Sequence, residues 1–207
     1  MIDAYVINLQ EDIDRWNQTQ ILFASKNINL IRVDAIKHEI GWIGCLLSHK
    51  KCIEFAKKNN MKNILVLEDD CKPLDNFSEF IRIKEEYLDK NEEWDIFLGG
   101  SVRTRKCNLE KVNDKYNLYL CPRAYGTFMI CYNNKIYDFI LNSDNSQQID
   151  ALWHKKIKCI IPVPFMCSTL NGISTVDKKY YSYDKLFFEN QQKIIKYIKK
   201  KFEKESY

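Results

Sequence analysis

The stretch that decides the fold is Ile64-Leu65-Val66-Leu67-Glu68-Asp69-Asp70-Cys71, an apolar run that ends in three consecutive carboxylates. A short apolar run bounded by polar residues predicts a buried β-strand. Alternation along that strand places Glu68 and Asp70 on one face and Asp69 on the other. Neighbouring carboxylates repel one another unless a cation or several hydrogen-bond donors offset their charge. The stretch therefore indicates either a site for a hard divalent ion, Mn²⁺ or Mg²⁺, or a solvated strand end that turns at Lys72-Pro73.

The composition is that of a globular protein. The chain has 207 residues, of which 45% are hydrophobic, and a formal net charge of +4. This length predicts one domain over residues 1–207, and the modest charge gives no reason to expect a nucleic-acid partner. Eight cysteines without any Cys-x-x-Cys spacing predict reduced thiols rather than a zinc finger. We find neither a signal sequence nor a membrane-spanning stretch, so the sequence predicts a cytoplasmic protein.

Strands and helices alternate along the first half of the chain. The hydrophobic periodicity predicts strands over residues 4–9, 31–35 and 94–98, and helices over 13–24 and 41–58 and from an Asn76-x-x-Glu79 capping pattern onward. This alternation predicts an α/β fold built on a mainly parallel central sheet. Ligands of such sheets bind at the carboxyl ends of the strands. The three acids and the Asn8-Leu9 turn both occupy such ends.

The second half is less regular. The pattern predicts strands over 116–120, 124–132 and 158–163, short helices over 135–141 and from 147, and mostly loop over 165–177. The tail, 185–207, is predicted to form a basic amphipathic helix. Such a helix is either a solvated face or a peripheral contact with an anionic membrane.

The predicted helix over 41–58 carries a strip of small residues at Gly41, Gly44 and Ser48. Glycine in a helix costs stability, so this strip indicates that another group approaches the backbone there. That group is either a phosphate at the helix N-terminus or a closely packed strand. His49 lies on the core-facing stripe, where a buried structural role and a ligand contact both stay open.

The ordered set of these segments resembles glycosyltransferase family 25, which includes bacterial lipooligosaccharide galactosyltransferases and procollagen galactosyltransferase domains. The most specific part is Gly-x-x-Gly-Cys-x-x-Ser-His shortly before Leu-Glu-Asp-Asp. The matching segments are Val6-Ile7-Asn8-Leu9 followed by Arg15, Val33-Asp34-Ala35, Gly41-Trp42-Ile43-Gly44-Cys45-Leu46-Leu47-Ser48-His49, Leu67-Glu68-Asp69-Asp70 and Ala124-Tyr125-Gly126-Thr127.

The resemblance implies a single GT-A type, Rossmann-like domain. It also implies a metal-dependent, inverting transfer of a hexose, galactose or glucose, from a UDP-sugar to a glycan, lipid-linked or protein hydroxyl acceptor, with Mn²⁺ or Mg²⁺ held through the acidic motif. The alternative is a non-catalytic relative of the same fold that binds a nucleotide or a glycan. A basic nucleic-acid-binding protein is the least favoured interpretation, because arginines are few.

The resemblance also implies roles for particular residues. Asp70 is the expected metal ligand, together with Glu68. Asp150 is the candidate catalytic base, with a helix N-cap as its alternative role, and His154 is a second candidate. Contacts to the donor are expected from Asn8, Leu9, Arg15, Asp34, Gly44, Ser48, His49, Glu68, Asp69, Tyr125 and Gly126.

Overall fold

The computed structural model describes residues 1–105, 109–152, 157–173 and 179–202. The strands are β1 (Ile2–Asn8), β2 (Ile28–Asp34), β3 (Asn63–Glu68), β4 (Cys71–Pro73), β5 (Ile96–Leu98), β6 (Arg103–Thr104), β7 (Glu110–Asn113), β8 (Leu118–Leu120), β9 (Ala124–Tyr125), β10 (Met129–Asn133), β11 (Cys159–Pro162), β12 (Cys167–Thr169), β13 (Gly172–Ile173) and β14 (Tyr180–Tyr181). The α-helices are α1 (Ile13–Phe23), α2 (Gly41–Lys58), α3 (Glu79–Ile83), α4 (Tyr137–Leu141) and α5 (Tyr183–Phe202). Shorter turns are the 3₁₀ segments Asp75–Ser78, Asn134–Ile136 and Ile149–Ala151 and the π-helical turn Lys84–Leu88.

The described residues form an eight-stranded central sheet in the order β2-β1-β3-β10-β5-β11-β8-β7. Strand β1 pairs in parallel with both β2 and β3, and β11 pairs in parallel with β5. Strands β10 and β8 run antiparallel to their neighbours, so the other six of the eight strands share one direction. The predicted α/β fold with a mainly parallel sheet is therefore confirmed.

Helix α2 has the bounds that periodicity predicts, Gly41–Lys58. Leu46, Cys52, Ile53 and Ala56 form its buried apolar stripe against the sheet. The central strands are buried because both faces of the sheet are covered, as the continuous apolar run before the acids requires. The seven cysteines within the described part of the chain are free thiols, as predicted.

The structure corrects two local predictions and refines a third. The Asn76 side chain does not cap a helix; it donates to the carbonyl of Pro164, and a 3₁₀ turn precedes α3. The strand predicted over 124–132 is divided into β9 and β10, because Gly126 has a φ of 131° that ends the extended backbone. The loop predicted over 165–177 contains β12, which pairs with β4 directly after the acids.

The C-terminal helix α5 is docked on the body of the protein through Phe187, Asn190 and Ile194, which are buried. The Asn190 side chain accepts hydrogen bonds from the backbone N–H and the hydroxyl of Thr104 (3.1 and 2.9 Å) and donates to the carbonyl of Ser101 (2.8 Å). The predicted helix over 185–207 thus begins at Tyr183, and residues 203–207 lie outside the described part. None of the helices that the structure describes has the length and apolar character needed to cross a membrane.

Candidate active site

The acidic motif forms a tight turn at the carboxyl end of β3. Glu68 is the last residue of that strand, and β4 begins at Cys71, so Asp69 and Asp70 are the turn between them. In the parallel pairing of β1 with β3, Ile7 lies opposite Glu68. The carboxyl ends of β1 and β3 therefore meet at the acids, which is where ligands of parallel sheets bind.

Asp69 is fixed by the amino-terminal part of the chain and is nearly fully buried. One of its carboxylate oxygens accepts a hydrogen bond from the Asn8 amide (2.7 Å), and the other lies 2.7 Å from the Arg15 guanidinium. The Thr19 hydroxyl donates to its backbone carbonyl (2.9 Å). Burial raises the pKa of Asp69, while the Arg15 charge and the Asn8 hydrogen bond partly oppose that rise. Both of its oxygens are used within the fold, so Asp69 is a structural residue.

Glu68 is held from the opposite side by α2. Its Oε1 lies 3.2 Å from Nε2 of His49 and accepts a hydrogen bond from the Cys45 thiol (3.4 Å). His49 is fully buried, and its Nδ1 lies 2.9 Å from the Tyr132 hydroxyl. Burial opposes ionisation of Glu68, but its hydrogen bonds, first of all that to His49, outweigh this effect and hold its pKa below the usual value. Glu68 is thus an oriented carboxylate.

Asp70 is the acid with an unused oxygen. Its Oδ2 lies 3.4 Å from the Arg15 guanidinium, whereas its buried Oδ1 has no hydrogen-bond partner among the described residues. The Thr169 hydroxyl lies near Asp70 and slightly favours the ionised form of the Asp70 carboxyl group. The Thr169 Oγ1 atom itself has no well-formed hydrogen bond among the described residues. Burial and the negative charge of Glu68 raise the pKa of Asp70 to about 7. A buried carboxylate oxygen without a partner is rare, and a bound ion or water is one explanation for it.

The acids lie between two clefts. A cleft of about 270 Å³ is lined by the end of β1, the loop after β2 and the first turns of α2. A cleft of about 400 Å³ is lined by residues 126–128, residues 169–172 and the start of α5. Arg15, Glu68, Asp70 and Thr127 line both of them. The same four residues, three of them charged, therefore line both clefts.

Comparison with known proteins identifies the family. The model of glycosyltransferase family 25, described as an LPS biosynthesis protein, matches residues 39–202. The chain belongs to glycosyltransferase family 25. This is the family that the resemblance of its motifs implies. No curated protein sequence matches the chain significantly.

Solved structures similar to this family 25 chain include a glycosyltransferase involved in the glycosylation of the major capsid of PBCV-1. That match has 10% identity and a TM-score of 0.41, and it covers 67% of this chain and 62% of the other. A mannose-1-phosphate geranyltransferase from Thermus thermophilus matches at 10% identity with a TM-score of 0.44, covering 78% of this chain and 73% of the other. The family 25 chain thus spans less than two thirds of the length of the capsid glycosyltransferase.

The structure brings most of the predicted donor contacts of the family 25 chain together. The smaller cleft is lined by Asn8, Leu9, Arg15, Gly44, Ser48, His49, Glu68 and Asp69, and Gly126 lines the larger one. Asp34 and Tyr125 line neither cleft. Asp34 is exposed at the end of β2, the edge strand of the sheet, and its backbone carbonyl accepts a hydrogen bond from the Lys51 ammonium (2.8 Å). The cleft beside it is formed instead by the loop that follows.

Asp150, the candidate base, lies behind Gly126 rather than in a cleft wall. Burial raises the pKa of its carboxyl group, while a hydrogen bond from the backbone N–H of Gly126 and the charge of Arg103 act in the opposite direction. Asp150 is not a helix N-cap, because Gln148 occupies that position of the 3₁₀ turn. His154, the second candidate, lies outside the described residues.

The small residues of α2 serve close packing. The Ser48 hydroxyl accepts a hydrogen bond from the Ile36 N–H (2.8 Å) and donates to the Gly44 carbonyl (2.7 Å). A Cβ atom on Gly44 would lie 2.6 Å from the carbonyl oxygen of Ile36. The group that approaches α2 is therefore the loop after β2, which forms a wall of the smaller cleft, and not another strand.

We expect Gly44→Ala to destabilise the protein by about 2 kcal/mol, because the added methyl group must push a backbone carbonyl away. Urea unfolding followed by circular dichroism measures the change. Gly172→Ala is the matched control, since a Cβ at Gly172 meets nothing within 4 Å. Equal stability of the two variants would contradict the packing explanation.

Sequence reasoning missed Cys45, Thr127 and Tyr132 as parts of the site. The first of these was visible, since residues 45 and 49 are four apart on one helix face. Cys45 Sγ, His49 Nε2 and Glu68 Oε1 lie within 4.8 Å of one another, a donor set of the kind that zinc uses. Here these atoms hydrogen-bond one another, which accounts for their proximity. The carboxylate oxygens of Asp70 and Glu68 better suit a hard ion such as Mg²⁺ or Mn²⁺.

Proposed function

We propose that this glycosyltransferase moves a hexose, galactose or glucose, from a UDP-sugar to a hydroxyl group of a glycan, lipid-linked or protein acceptor, with inversion at the anomeric carbon and with Mn²⁺ or Mg²⁺. The observation that carries the proposal is the buried Oδ1 of Asp70, which has no hydrogen-bond partner in the described part of the chain and belongs to a residue that lines both clefts. Membership of family 25 supports the reaction class.

The acidic residues fit a divalent ion. Asp70 offers the free oxygen, and Glu68 is pre-oriented beside it by His49. When bound there, the ion would neutralise the charge that develops on the leaving diphosphate. The Arg15 guanidinium lines both clefts and faces the same space, so it adds a second positive charge for the diphosphate.

The smaller cleft suits the nucleotide part of the donor. Its walls include the beginning of α2 at Gly41, where helical N–H groups and the helix dipole favour phosphate. The larger cleft on the other side of Asp70 then receives the acceptor. An inverting transfer needs a base within hydrogen-bond reach of the acceptor hydroxyl. The candidate is Asp150, which lines neither cleft itself but whose raised pKa makes its carboxylate a stronger base than an exposed aspartate. The backbone N–H of Gly126, which lines the larger cleft, donates a hydrogen bond to that carboxylate.

The decisive experiment measures release of UDP from UDP-galactose and UDP-glucose, with GDP-mannose as the control donor. We expect release in the presence of Mn²⁺ or Mg²⁺ and a loss of at least roughly 100-fold on addition of EDTA, since the metal stabilises the leaving group. UDP binding without hydrolysis or transfer, whatever acceptor is added, would instead favour the non-catalytic relative. Equal release from GDP-mannose would contradict the choice of uridine nucleotide.

A further inference from the structure

A basic and aromatic group of residues lies on the strands β6 and β9 and in the residue that follows β6. We define the arginine–tyrosine cluster as Arg103, Arg105 and Tyr125. The Cζ atoms of the two arginines lie 4.8 and 5.5 Å from the centroid of the Tyr125 ring. Arg103 is paired with Tyr125 across the β6–β9 ladder. None of the three lines the larger cleft itself, but their chain neighbours Val102 and Gly126 do, and from this we infer that the cluster lies near its edge.

The cluster carries positive charge that no ion pair among the described residues neutralises. Both arginines are exposed, and within the described ranges neither forms an ion pair with a carboxylate. The chain has 6 arginines against 26 lysines, so two arginines on one tyrosine ring are an unusual concentration. A guanidinium group is a planar fork that binds phosphate or carboxylate through two parallel hydrogen bonds, which an ammonium group cannot do.

The strands that carry the cluster are firmly held. The Ser101 hydroxyl donates to the Tyr125 carbonyl (2.9 Å), and the Tyr125 N–H donates back to that hydroxyl oxygen (3.0 Å). Asn190 of α5 fastens β6 through Thr104 (3.1 and 2.9 Å). Stacking on the ring further restricts the guanidinium groups. Because these groups are ordered before a ligand arrives, little conformational entropy is lost on binding.

The cluster is on the acceptor side of the site. Arg103 is close enough to Asp150 for its charge to lower the pKa of that carboxyl group, and Gly126, which donates to Asp150, follows Tyr125 directly. The donor side, by contrast, is lined by the ends of β1 and β2 and by α2. A ligand group bound to the cluster would therefore be attached to the sugar that receives the hexose.

We propose that the arginine–tyrosine cluster binds an anionic substituent, a phosphate or a carboxylate, on the acceptor sugar. The inference rests on the proposed function only in placing the acceptor in the larger cleft. It narrows the acceptor from any hydroxyl compound to negatively charged glycans, and it assigns specificity to residues that do not take part in the chemistry.

The test is a titration of the ¹⁵N-labelled protein with glucose 6-phosphate, glucuronate and glucose, observed at the backbone amides of residues 103–105 and 124–126. Saturating UDP and Mg²⁺ keep the smaller cleft filled, so that the anions do not bind at Arg15. We expect at least one of the two anionic sugars to bind at least about 10-fold more tightly than glucose. The difference in affinity between the two anionic sugars shows which anion is preferred. In the Arg103→Gln/Arg105→Gln variant this preference should disappear, while Arg82→Gln, an exposed arginine on α3, should retain it.

No preference for either anionic sugar, or a preference that survives in the double variant, would overturn the inference. If the double variant proves unstable, each single variant should lose part of the preference, and unchanged binding in both would be equally decisive. If UDP neither binds nor is released from any donor, the proposed function fails. The same titration without UDP then tests the cluster by itself, because its amides report binding independently of donor chemistry.

Discussion

Asp70→Asn is expected to lower metal-dependent UDP release by about 1,000-fold or more and at the same time to make the metal-free protein more stable. The loss of activity follows from the loss of a charged oxygen that the ion and the diphosphate require. The gain in stability follows because the native carboxylate is half-buried beside Glu68, and its buried Oδ1 has no hydrogen-bond partner among the described residues. An amide of the same shape carries no charge to desolvate.

The effect of Asp70→Asn on the stability of the metal-free protein should depend on pH. The pKa of Asp70 is about 7 in the folded protein, against an ordinary value of 3.8. Between these values the folded state holds a proton that the unfolded state releases, so the wild type should lose stability as the pH rises from about 4 to about 7. The full difference corresponds to about 4 kcal/mol at most, and because the side chain is 29% exposed we expect about 2 kcal/mol. Asp70→Asn should lack this loss.

Urea unfolding at pH 5 and pH 8, without metal, measures the effect. Asp75→Asn makes the same chemical change at a nearby exposed position and serves as the control. Mn²⁺ should raise the melting temperature of the wild type and leave that of Asp70→Asn unchanged. A variant that is less stable than the wild type at pH 8, or that still responds to Mn²⁺, would show that Asp70 is a structural carboxylate.

The neighbouring substitution Asp69→Ala should have the opposite effect on stability. We expect a loss of about 3 kcal/mol, because the change removes one of the two acceptors of the buried Asn8 amide and the nearest carboxylate of the Arg15 guanidinium. UDP release should also fall, since Arg15 is no longer held between the two clefts. Chemical denaturation and the UDP assay measure the two effects together.

Asp69→Asn is the control, because asparagine has the size of aspartate and retains one acceptor oxygen. It should therefore lie between the wild type and Asp69→Ala in stability. If Asp69→Ala were as stable as the wild type, the hydrogen bonds described for Asp69 would not contribute to the fold. Two adjacent acids with opposite effects on stability would thus separate the ligand-binding carboxylate from the structural one.

This division of roles could be predicted in part from the sequence. Alternation along a strand separates Asp69 from Glu68 and Asp70, and the structure does place Asp69 among internal partners. Helical periodicity likewise gives α2 its observed bounds, since the Gly41–Lys58 stripe is long and regular. Such local patterns are reliable because they depend on the strand repeat of about 2.0 residues and the helix repeat of about 3.6 residues alone.

Features that depend on distant partners could not be predicted. No sequence pattern near residue 130 predicts that β10 lies antiparallel between β3 and β5. This position of β10 brings the Tyr132 hydroxyl to His49. Asn76 has a capping pattern, yet its side chain is used by the carbonyl of Pro164, 88 residues away. Asp34 ends an edge strand, and the pattern does not reveal on which side of that edge the cleft opens.

The contacts that Asn8 and Arg15 make with the Asp69 carboxylate have a consequence for how the site forms during folding. Asn8 and Asp69 are 61 residues apart in the chain, and the family match begins only at residue 39. Closing a loop of this length costs roughly 3 to 4 kcal/mol of chain entropy, which β1 recovers only once it is paired between β2 and β3. The acidic turn therefore has no local precursor and forms only with the whole sheet. Nucleotide binding and the native fold should then be lost at the same denaturant concentration. A bound ligand would therefore report on the integrity of the entire fold.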